Sequence, residues 1–335
     1  MSEPSVAIVG ATGAVGHEFL RVLEERAFPM RSLKLLASER SAGRRLAFGG
    51  DQLVVEALGD RSFHDVDIAF FSAGGATSQA YARLAVDDGC VVIDNSSAFR
   101  MHADVPLVVP EVNSDALQGH QGILANPNCS TILLVLALQP LHLRAGLKKV
   151  VVSTYQAASG AGQRAMDELR AQTRALLDGE PEPAPEALLQ SLGFNLFPHV
   201  DVFMEDGFTK EEDKMLYEVR KIMGLPELPV DATCVRVPVE RCHSESVSVE
   251  LERELTVDAA RELFAQAPGC ELRDDPAEFV YPMPRDYAGR DAIGVGRVRI
   301  ARCFDPGLTF WIVGDQLKKG AALNAVQIAE ALKKQ

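Results

Sequence analysis

"VAIVGATGAVG", Val6 to Gly16, runs four apolar residues into glycines at 10, 13 and 16. The apolar run reads as a buried strand, and "AVGHEFLRVLEER" after it as a helix with apolar residues at helical spacing. Glycine lets the backbone turn tightly and come close to an anion, which N–H groups at a helix start can then hold. The spacing is G-x-x-G-x-x-G, not the commoner G-x-G-x-x-G of dinucleotide sites, but the physics is shared. Its place at the start of a parallel sheet points to a nucleotide; the alternative is a tight turn without a ligand.

Working outward, "SLKLLAS", "VDIAFFSA" and "CVVIDNS" read as strands and "TSQAYARLAVDDG" as a helix. Strands alternating with helices predict a parallel sheet covered on both faces, and the runs "IAFF" and "CVVI" suit strands buried on both sides. The second strand should carry the group that meets the ribose, and it ends in "LLASERSAG". Glu39 could bind two ribose hydroxyls and favour NAD. Ser38, Arg40 and Ser41 would surround a 2′-phosphate, and a basic residue flanked by hydroxyls favours NADP.

The later sequence alternates apolar and polar residues in "TCVRVPV", "SVSVELERE", "VRIARCF" and "LTFWIVGD", which predicts an antiparallel sheet with one covered face. "AGQRAMDELRAQTRALL" reads as a helix ended by the acidic, proline-rich "DGEPEPAPE". The last pattern, "QLKKGAALNAVQIAEALKK", reads as an amphipathic helix returning to the first domain. The predicted domains are residues 1–130 completed by helix 316–335, and residues 131–315.

With 335 residues the chain can bury a large core. Its 34 basic and 47 acidic residues leave a net charge of −13 with no basic run, which argues against a nucleic-acid partner. No apolar run approaches the roughly 20 residues that span a bilayer. "MSEPSVAIVG" enters a strand without a basic stretch and cleavage pattern, so no signal peptide is expected. Cysteines at 90, 129, 234, 242, 270 and 303 form no C-x-x-C pair, which points to a reducing cytoplasm and no disulfide framework.

One of those thiols stands apart. "LANPNCST" puts Cys129 where a helix over residues 130–143, opening with "STILLVLAL", begins. A helix N-terminus favours thiolate over thiol, and a lowered thiol pKa makes cysteine a usable nucleophile. Pro127 restricts Asn126, and Asn128 is suited to cap the helix. Cys90, Cys234, Cys270 and Cys303 read as ordinary packed thiols. His243 in "RVPVERCHSESVSVE" is the candidate proton acceptor. Cys242 beside it has no second ligand cluster, so no metal is expected.

The ordered motifs "GATGAVG", "SAGG", "NPNCST", "TYQAASGAG", "FTKEEDKM" and "RVPVERCHSES" resemble the aspartate-β-semialdehyde dehydrogenase family over nearly the whole chain. The resemblance implies an α/β fold: a Rossmann-type parallel-sheet domain plus an α+β catalytic and dimerisation domain. It implies that Cys129 is the nucleophile, that Gln156 orients the acyl intermediate and that His243 is the acid/base. It assigns Arg236 to the substrate α-carboxylate, Glu211 to its amino group, and Lys214 and Arg100 to phosphate, with Asn128 in the same substrate-binding set. The implied NADP contacts are Gly10, Thr12, Gly13, Ala14 and Val15, then Ser38, Arg40 and Ser41, then Ala73 and Gly74, Ser159 and Gly160, and Asn324.

The implied reaction is NADP-dependent, reversible reductive dephosphorylation of 4-phospho-L-aspartate through a cysteine thioester. It would feed lysine, threonine, methionine and diaminopimelate synthesis in a cytoplasmic homodimer. Two positions depart from the family. Cys242 stands where many relatives have glycine, and His199 replaces a polar residue common after "FNLFP". Two rival readings stay open: N-acetyl-γ-glutamyl-phosphate reductase, and a non-catalytic nucleotide-binding relative.

Overall fold

A computed structural model describes residues 3–333 and divides the chain into two units, breaking between Asn128 and Cys129 and between Gly320 and Ala321. Residues 1–2 and 334–335, the extremes of the expected first domain, lie outside the described residues.

The first unit opens with β1 (Ser5–Val9), α1 (Ala14–Glu25) and β2 (Ser32–Ala37), followed by β3 (Arg45–Phe48) and β4 (Asp51–Ala57). Then come β5 (Ile68–Phe71), α2 (Gly75–Asp87), β6 (Val91–Asp94), α3 (Pro110–Asn113) and β7 (Ile123–Ala125). The sheet order is β3-β4-β2-β1-β5-β6-β7, parallel throughout except for the β3–β4 pair. This is the doubly wound arrangement the alternating pattern predicts. β1 and β5 are buried at every position, as strands covered on both faces must be.

The β3–β4 hairpin is not among the expected strands. Its turn is Gly49-Gly50, both at positive φ (60° and 87°), the backbone that a two-residue hairpin loop needs.

The closing segment also differs from expectation. It starts as a π-helical turn, Lys318–Ala322, and continues as an α-helix over Leu323–Leu332. Leu323, Asn324, Ala325, Val326, Ile328 and Ala329 are all buried, so the helix is covered on most of its circumference rather than along one stripe. It packs in one core with Phe19, Val22, Leu23 and Phe70. Small alanines let it sit close among them.

The second unit holds α4 (Cys129–Ala145), β8 (Leu147–Gln156), α5 (Gln163–Asp178), α6 (Lys210–Met223) and β9 (Val230–Arg236). β10 (His243–Leu251), α7 (Val257–Gln266), β11 (Cys270–Leu272), α8 (Pro284–Tyr287), β12 (Ile293–Ile300) and β13 (Gly307–Gly314) complete it. The sheet order is β11-β12-β13-β10-β8-β9. The sheet is mixed, not antiparallel throughout: β8–β9 and β11–β12 run parallel. Parallel neighbours need a long crossover, and α5 and α6 lie between β8 and β9.

α4 is buried along most of its length and packs against β8, β10, β13, α6 and α7. On β10, His243, Glu245, Val247, Val249 and Leu251 are buried without exception, while Ser246, Ser248 and Glu250 on the opposite face are half-buried.

Candidate functional site

The first unit carries a cavity of about 390 Å³ lined by Gly10, Thr12, Gly13, Ser38, Ala73, Leu58, Ser72, Thr77 and Tyr81, among others. Gly10 has φ +89°, and a Cβ there would collide with the Ser72 carbonyl, so the turn admits only glycine. The N-cap of α1 is Gly13, which has no side chain to cap the leading N–H groups of the helix. A close backbone turn with uncapped N–H groups suits the chemistry of a nucleotide phosphate.

Ser38 lines the cavity. Arg40 is exposed on the short 3-10 turn Glu39–Ser41, and Ser41 is buried with its hydroxyl accepting from Thr12 Oγ1 at 3.4 Å. Ala14 and Val15 form the first turn of α1, and Gly74 caps α2 at φ +86°. Thr77 and Tyr81, one turn apart on α2, are lining residues that the motifs did not single out; their i,i+4 spacing after "SAGG" is the available signal.

Three further candidates belong to this unit. Buried Arg100 donates from Nε to the Asn126 carbonyl (3.0 Å) and from Nη2 to that of Asn95 (2.7 Å). Asn324 donates to the Asn126 side chain (2.7 Å) and to the Val108 carbonyl (2.9 Å). Asn128, buried, is the last residue before α4.

In the second unit α4 begins at Cys129, which is half-buried, so the thiol sits at the positive end of a 17-residue helix. The remaining thiols divide. Cys90, Cys234 and Cys242 are buried, and burial pushes each thiol up, Cys90 to about 12. Cys303 is exposed and Cys270 half-buried, so the expectation of packed thiols fails for these two; both lie at the edges of short strands or in a loop.

Gln156 ends β8 with its amide nitrogen donating to Ser130 Oγ (3.0 Å) and to Glu211 Oε1 (3.1 Å). Glu211 is set by the start of α6. Thr209 Oγ1 accepts from the Glu212 N–H and Glu212 Oε2 from the Thr209 N–H, a reciprocal cap that "TKEE" encodes. Glu212 Oε1 also accepts from the Cys234 N–H at 3.0 Å, tying the helix end to β9. Lys214, one turn along, donates to Glu211 Oε2 (2.9 Å) and to Asp201 Oδ2 (2.7 Å). Burial opposes the ammonium charge, but Glu211 and Asp201 outweigh it and raise the pKa. Asp201 was not a candidate from sequence, because it sits in a loop with no motif.

Arg236 pairs with Gln156 in the β8–β9 ladder and is buried. Its Nη1 donates to the Ala157 carbonyl at 2.6 Å. Burial lowers its pKa, opposed by Glu211 and Cys129, which places both of those groups within its field. His243 opens β10, fully buried, with Nδ1 accepting from the Ala157 N–H at 3.1 Å. Burial first and Arg236 second pull its pKa down to about 3, with Glu211 pulling the other way.

Gly160 lies against this pair, since a Cβ there would stand 3.0 Å from Arg236 Nη1 and 3.2 Å from His243 Nε2. Ser159 is buried, its hydroxyl bonded by the Gln316 amide, whose oxygen accepts from the Cys242 N–H at 2.8 Å. Ser159 and Gly160 thus sit with the thiol unit. Cys242 has φ +77°, the left-handed region that explains a glycine preference at that position. Among the described residues no group of three or more His, Cys, Asp or Glu side chains could hold a metal ion, and no helix is long and apolar enough to cross a membrane.

A family profile described as "Semialdehyde dehydrogenase, NAD binding domain" matches residues 5–120, and one described as "Semialdehyde dehydrogenase, dimerisation domain" matches residues 138–319. Aspartate-semialdehyde dehydrogenase of Aquifex aeolicus is 55% identical over 333 residues, 98% of each chain. The Bacillus subtilis protein of the same name is 51% identical over 336 residues, 98% of this chain and 97% of that one. The crystal structure of aspartate semialdehyde dehydrogenase II from Vibrio cholerae has a TM-score of 0.97 and 44% identity, covering 100% of this chain and 99% of that one. The same enzyme complexed with ASA matches equally well, with a TM-score of 0.97. Over its whole length, in both units, the chain belongs to the aspartate-semialdehyde dehydrogenase family.

Proposed function

We propose that the chain catalyses reversible, NADP-linked reductive dephosphorylation of 4-phospho-L-aspartate to L-aspartate 4-semialdehyde, in the biosynthesis of lysine, threonine, methionine and diaminopimelate. One observation carries this reading: a half-buried thiol opens α4 in the unit that also joins Gln156, Glu211, Lys214, Arg236 and His243.

Cys129 attacks the acyl phosphate, its carbon–sulfur bond forming as phosphate departs. Arg236 grips the substrate α-carboxylate, Glu211 its amino group, and Lys214 and Arg100 the phosphate, with Asn128 beside them; a guanidinium matches a carboxylate through paired hydrogen bonds. Gln156, fixed by Ser130 and Glu211, orients the thioester. A bound reduced nicotinamide nucleotide supplies hydride. His243 serves proton transfer, a role typically worth about 10²–10⁴-fold. N–H groups at the start of α4 stabilise the oxyanion.

The glycine turn of Gly10 and Gly13, with Thr12, Ala14, Val15, Ala73 and Gly74, holds the pyrophosphate region. Ser38, Arg40 and Ser41 favour a 2′-phosphate and therefore NADP. Ser159, Gly160 and Asn324 complete the cofactor set. The match of residues 138–319 to a dimerisation domain supports a homodimer, and a cytoplasmic setting accords with the biosynthetic role.

Cys129→Ala tests the reading in an assay of phosphate-dependent NADPH formation from the semialdehyde. The expected loss is at least 10³-fold, of the order seen when an activated nucleophile is removed. Turnover near that of the unsubstituted enzyme would remove the covalent route.

A further inference from the structure

We infer that the Ala157 main chain holds His243 as the neutral tautomer with its proton on Nε2, so that the ring is a hydrogen-bond donor to the reacting oxygen and not the base that ionises Cys129. The inference rests on the proposed dehydrogenase reading and, within it, replaces proton transfer by His243 with hydrogen-bond donation from a ring that keeps its proton.

The geometry turns on one bond. The Ala157 N–H donates to His243 Nδ1 at 3.1 Å in a fully buried setting. A ring nitrogen that accepts an N–H presents a lone pair, so a neutral imidazole must carry its hydrogen on the other nitrogen. That nitrogen, Nε2, is buried and has no hydrogen-bond partner among the described residues, which leaves its donor for a substrate group. Adding a second proton would place N–H against N–H at Nδ1 and break the bond.

The donor itself is well fixed. Ala157 follows the last residue of β8 at φ −64°, ψ 153°. Its carbonyl accepts from Arg236 Nη1 (2.6 Å) and from the Gly160 N–H (3.1 Å). One main-chain residue thus anchors the guanidinium and the imidazole together, which makes Ala157 a positioning residue.

The charges around the ring agree. Arg236 faces it from β9, Glu211 from α6, and Glu245, two residues along β10, shares its face and is driven towards the neutral acid by burial. Cys129 on α4 interacts with Arg236. Burial and the guanidinium disfavour imidazolium, so thiolate charge at Cys129 is balanced by Arg236 and the helix start.

The steps then balance without the ring losing a proton. Thiolate attack forms S–C and moves the carbonyl pair onto oxygen, where Nε2–H donates. That pair returns as the C–O bond to phosphate breaks, and phosphate leaves with its electrons. After hydride addition to the thioester carbon, the same donor meets the new oxyanion, and C–S cleavage returns the pair to sulfur.

The test is proton–nitrogen correlation across the imidazole of the full-length protein labelled with ¹⁵N-histidine. His243 is assigned by the signal lost in His243→Gln or, should that variant not fold, in His243→Asn. The expected result is a neutral Nε2–H pattern from pH 6 to 9. An Nδ1–H pattern, or imidazolium at pH 7, would overturn the inference.

A second reading uses turnover. The Gln amide nitrogen can replace Nε2–H, whereas the Asn nitrogen sits nearer Nδ1, so kcat should be at least 10-fold higher for His243→Gln than for His243→Asn. Equal losses would count against the donor role. An enzyme inert towards the semialdehyde would sink the dehydrogenase reading while leaving the tautomer measurement intact.

Discussion

Gly160 leaves the space that His243 occupies: a Cβ at Gly160 would stand 3.1 Å from His243 Cε1 and 3.2 Å from Nε2, with Arg236 Nη1 at 3.0 Å. Contacts that short force the neighbour to shift by a few tenths of an ångström. Both neighbours are buried and hydrogen-bonded to Ala157, so the shift is transmitted to the site.

Gly160→Ala is therefore expected to lower kcat/KM by about 10-fold or more, since misplacement on the ångström scale costs up to about 10². The melting temperature should change little, because the short 3-10 turn Ala158–Ala161 gains only one methyl. Parallel kinetics and thermal melts check this; a fully active variant would mean the ring has room to move.

Glu245 gives a stability prediction with a definite sign. It lies in one row with Cys234, Thr154 and Ile312 across β9, β8, β10 and β13, and neither carboxyl oxygen has a hydrogen-bond partner among the described residues. Burial raises its pKa well above the ordinary carboxylate range. The folded state then keeps a proton that the unfolded chain gives up above about pH 4.5, so stability falls as pH rises from there towards the raised folded value. Glu245→Gln removes that dependence. The variant should match the parent near pH 4.5 and gain on it at higher pH, by up to about 1.4 kcal/mol per unit. Denaturant melts across the range decide it, and a pH-independent gap would contradict the account.

Glu211 and Lys214 should be coupled. Lys214→Met takes the ammonium away from buried Glu211, which also accepts from Gln156, a change expected to cost about 2 kcal/mol, below the roughly 3–5 kcal/mol of a fully buried pair because Lys214 is 23% exposed. Glu211→Gln in the same chain should restore part of that loss. A double-mutant cycle by urea unfolding measures the coupling, expected at about 1–2 kcal/mol; a value near zero would make the pair incidental.

Cys242 reaches His243 through the backbone. At φ +77° a β-branched side chain is strongly disfavoured, so Cys242→Val should destabilise the fold by about 2 kcal/mol and reduce turnover. Cys242→Gly suits the same backbone and should keep turnover within a few-fold. If both variants behave alike, the backbone geometry at this position does not govern His243.

Local chemistry made much of this legible. "VAIVGATGAVG" announces the strand, the glycine turn and the helix, because φ +89° at Gly10 leaves no other residue type possible. "TKEE" announces the start of α6 through its reciprocal cap. The Cys242 departure is visible as a residue change, but the positive φ that gives it meaning is not.

What depends on strand pairing was hidden. Nothing in the alternation of β8 and β9 tells parallel from antiparallel, because both have period two. Glu245 alternates with serines like any half-polar strand residue, and only the folded structure shows it buried. The closing helix has an amphipathic pattern, yet alanines allow burial on its other faces too. Asp201 and Ala157 act through position and main chain, which no motif records.

The central claim is that the Cys129 sulfur carries the acyl group. Mixing the enzyme with the acyl phosphate in the absence of reduced cofactor, quenching in acid and mapping peptides by mass should find the aspartyl group on Cys129, and no adduct in Cys129→Ala. An unmodified Cys129 during turnover, or an acyl group on another residue, would contradict it.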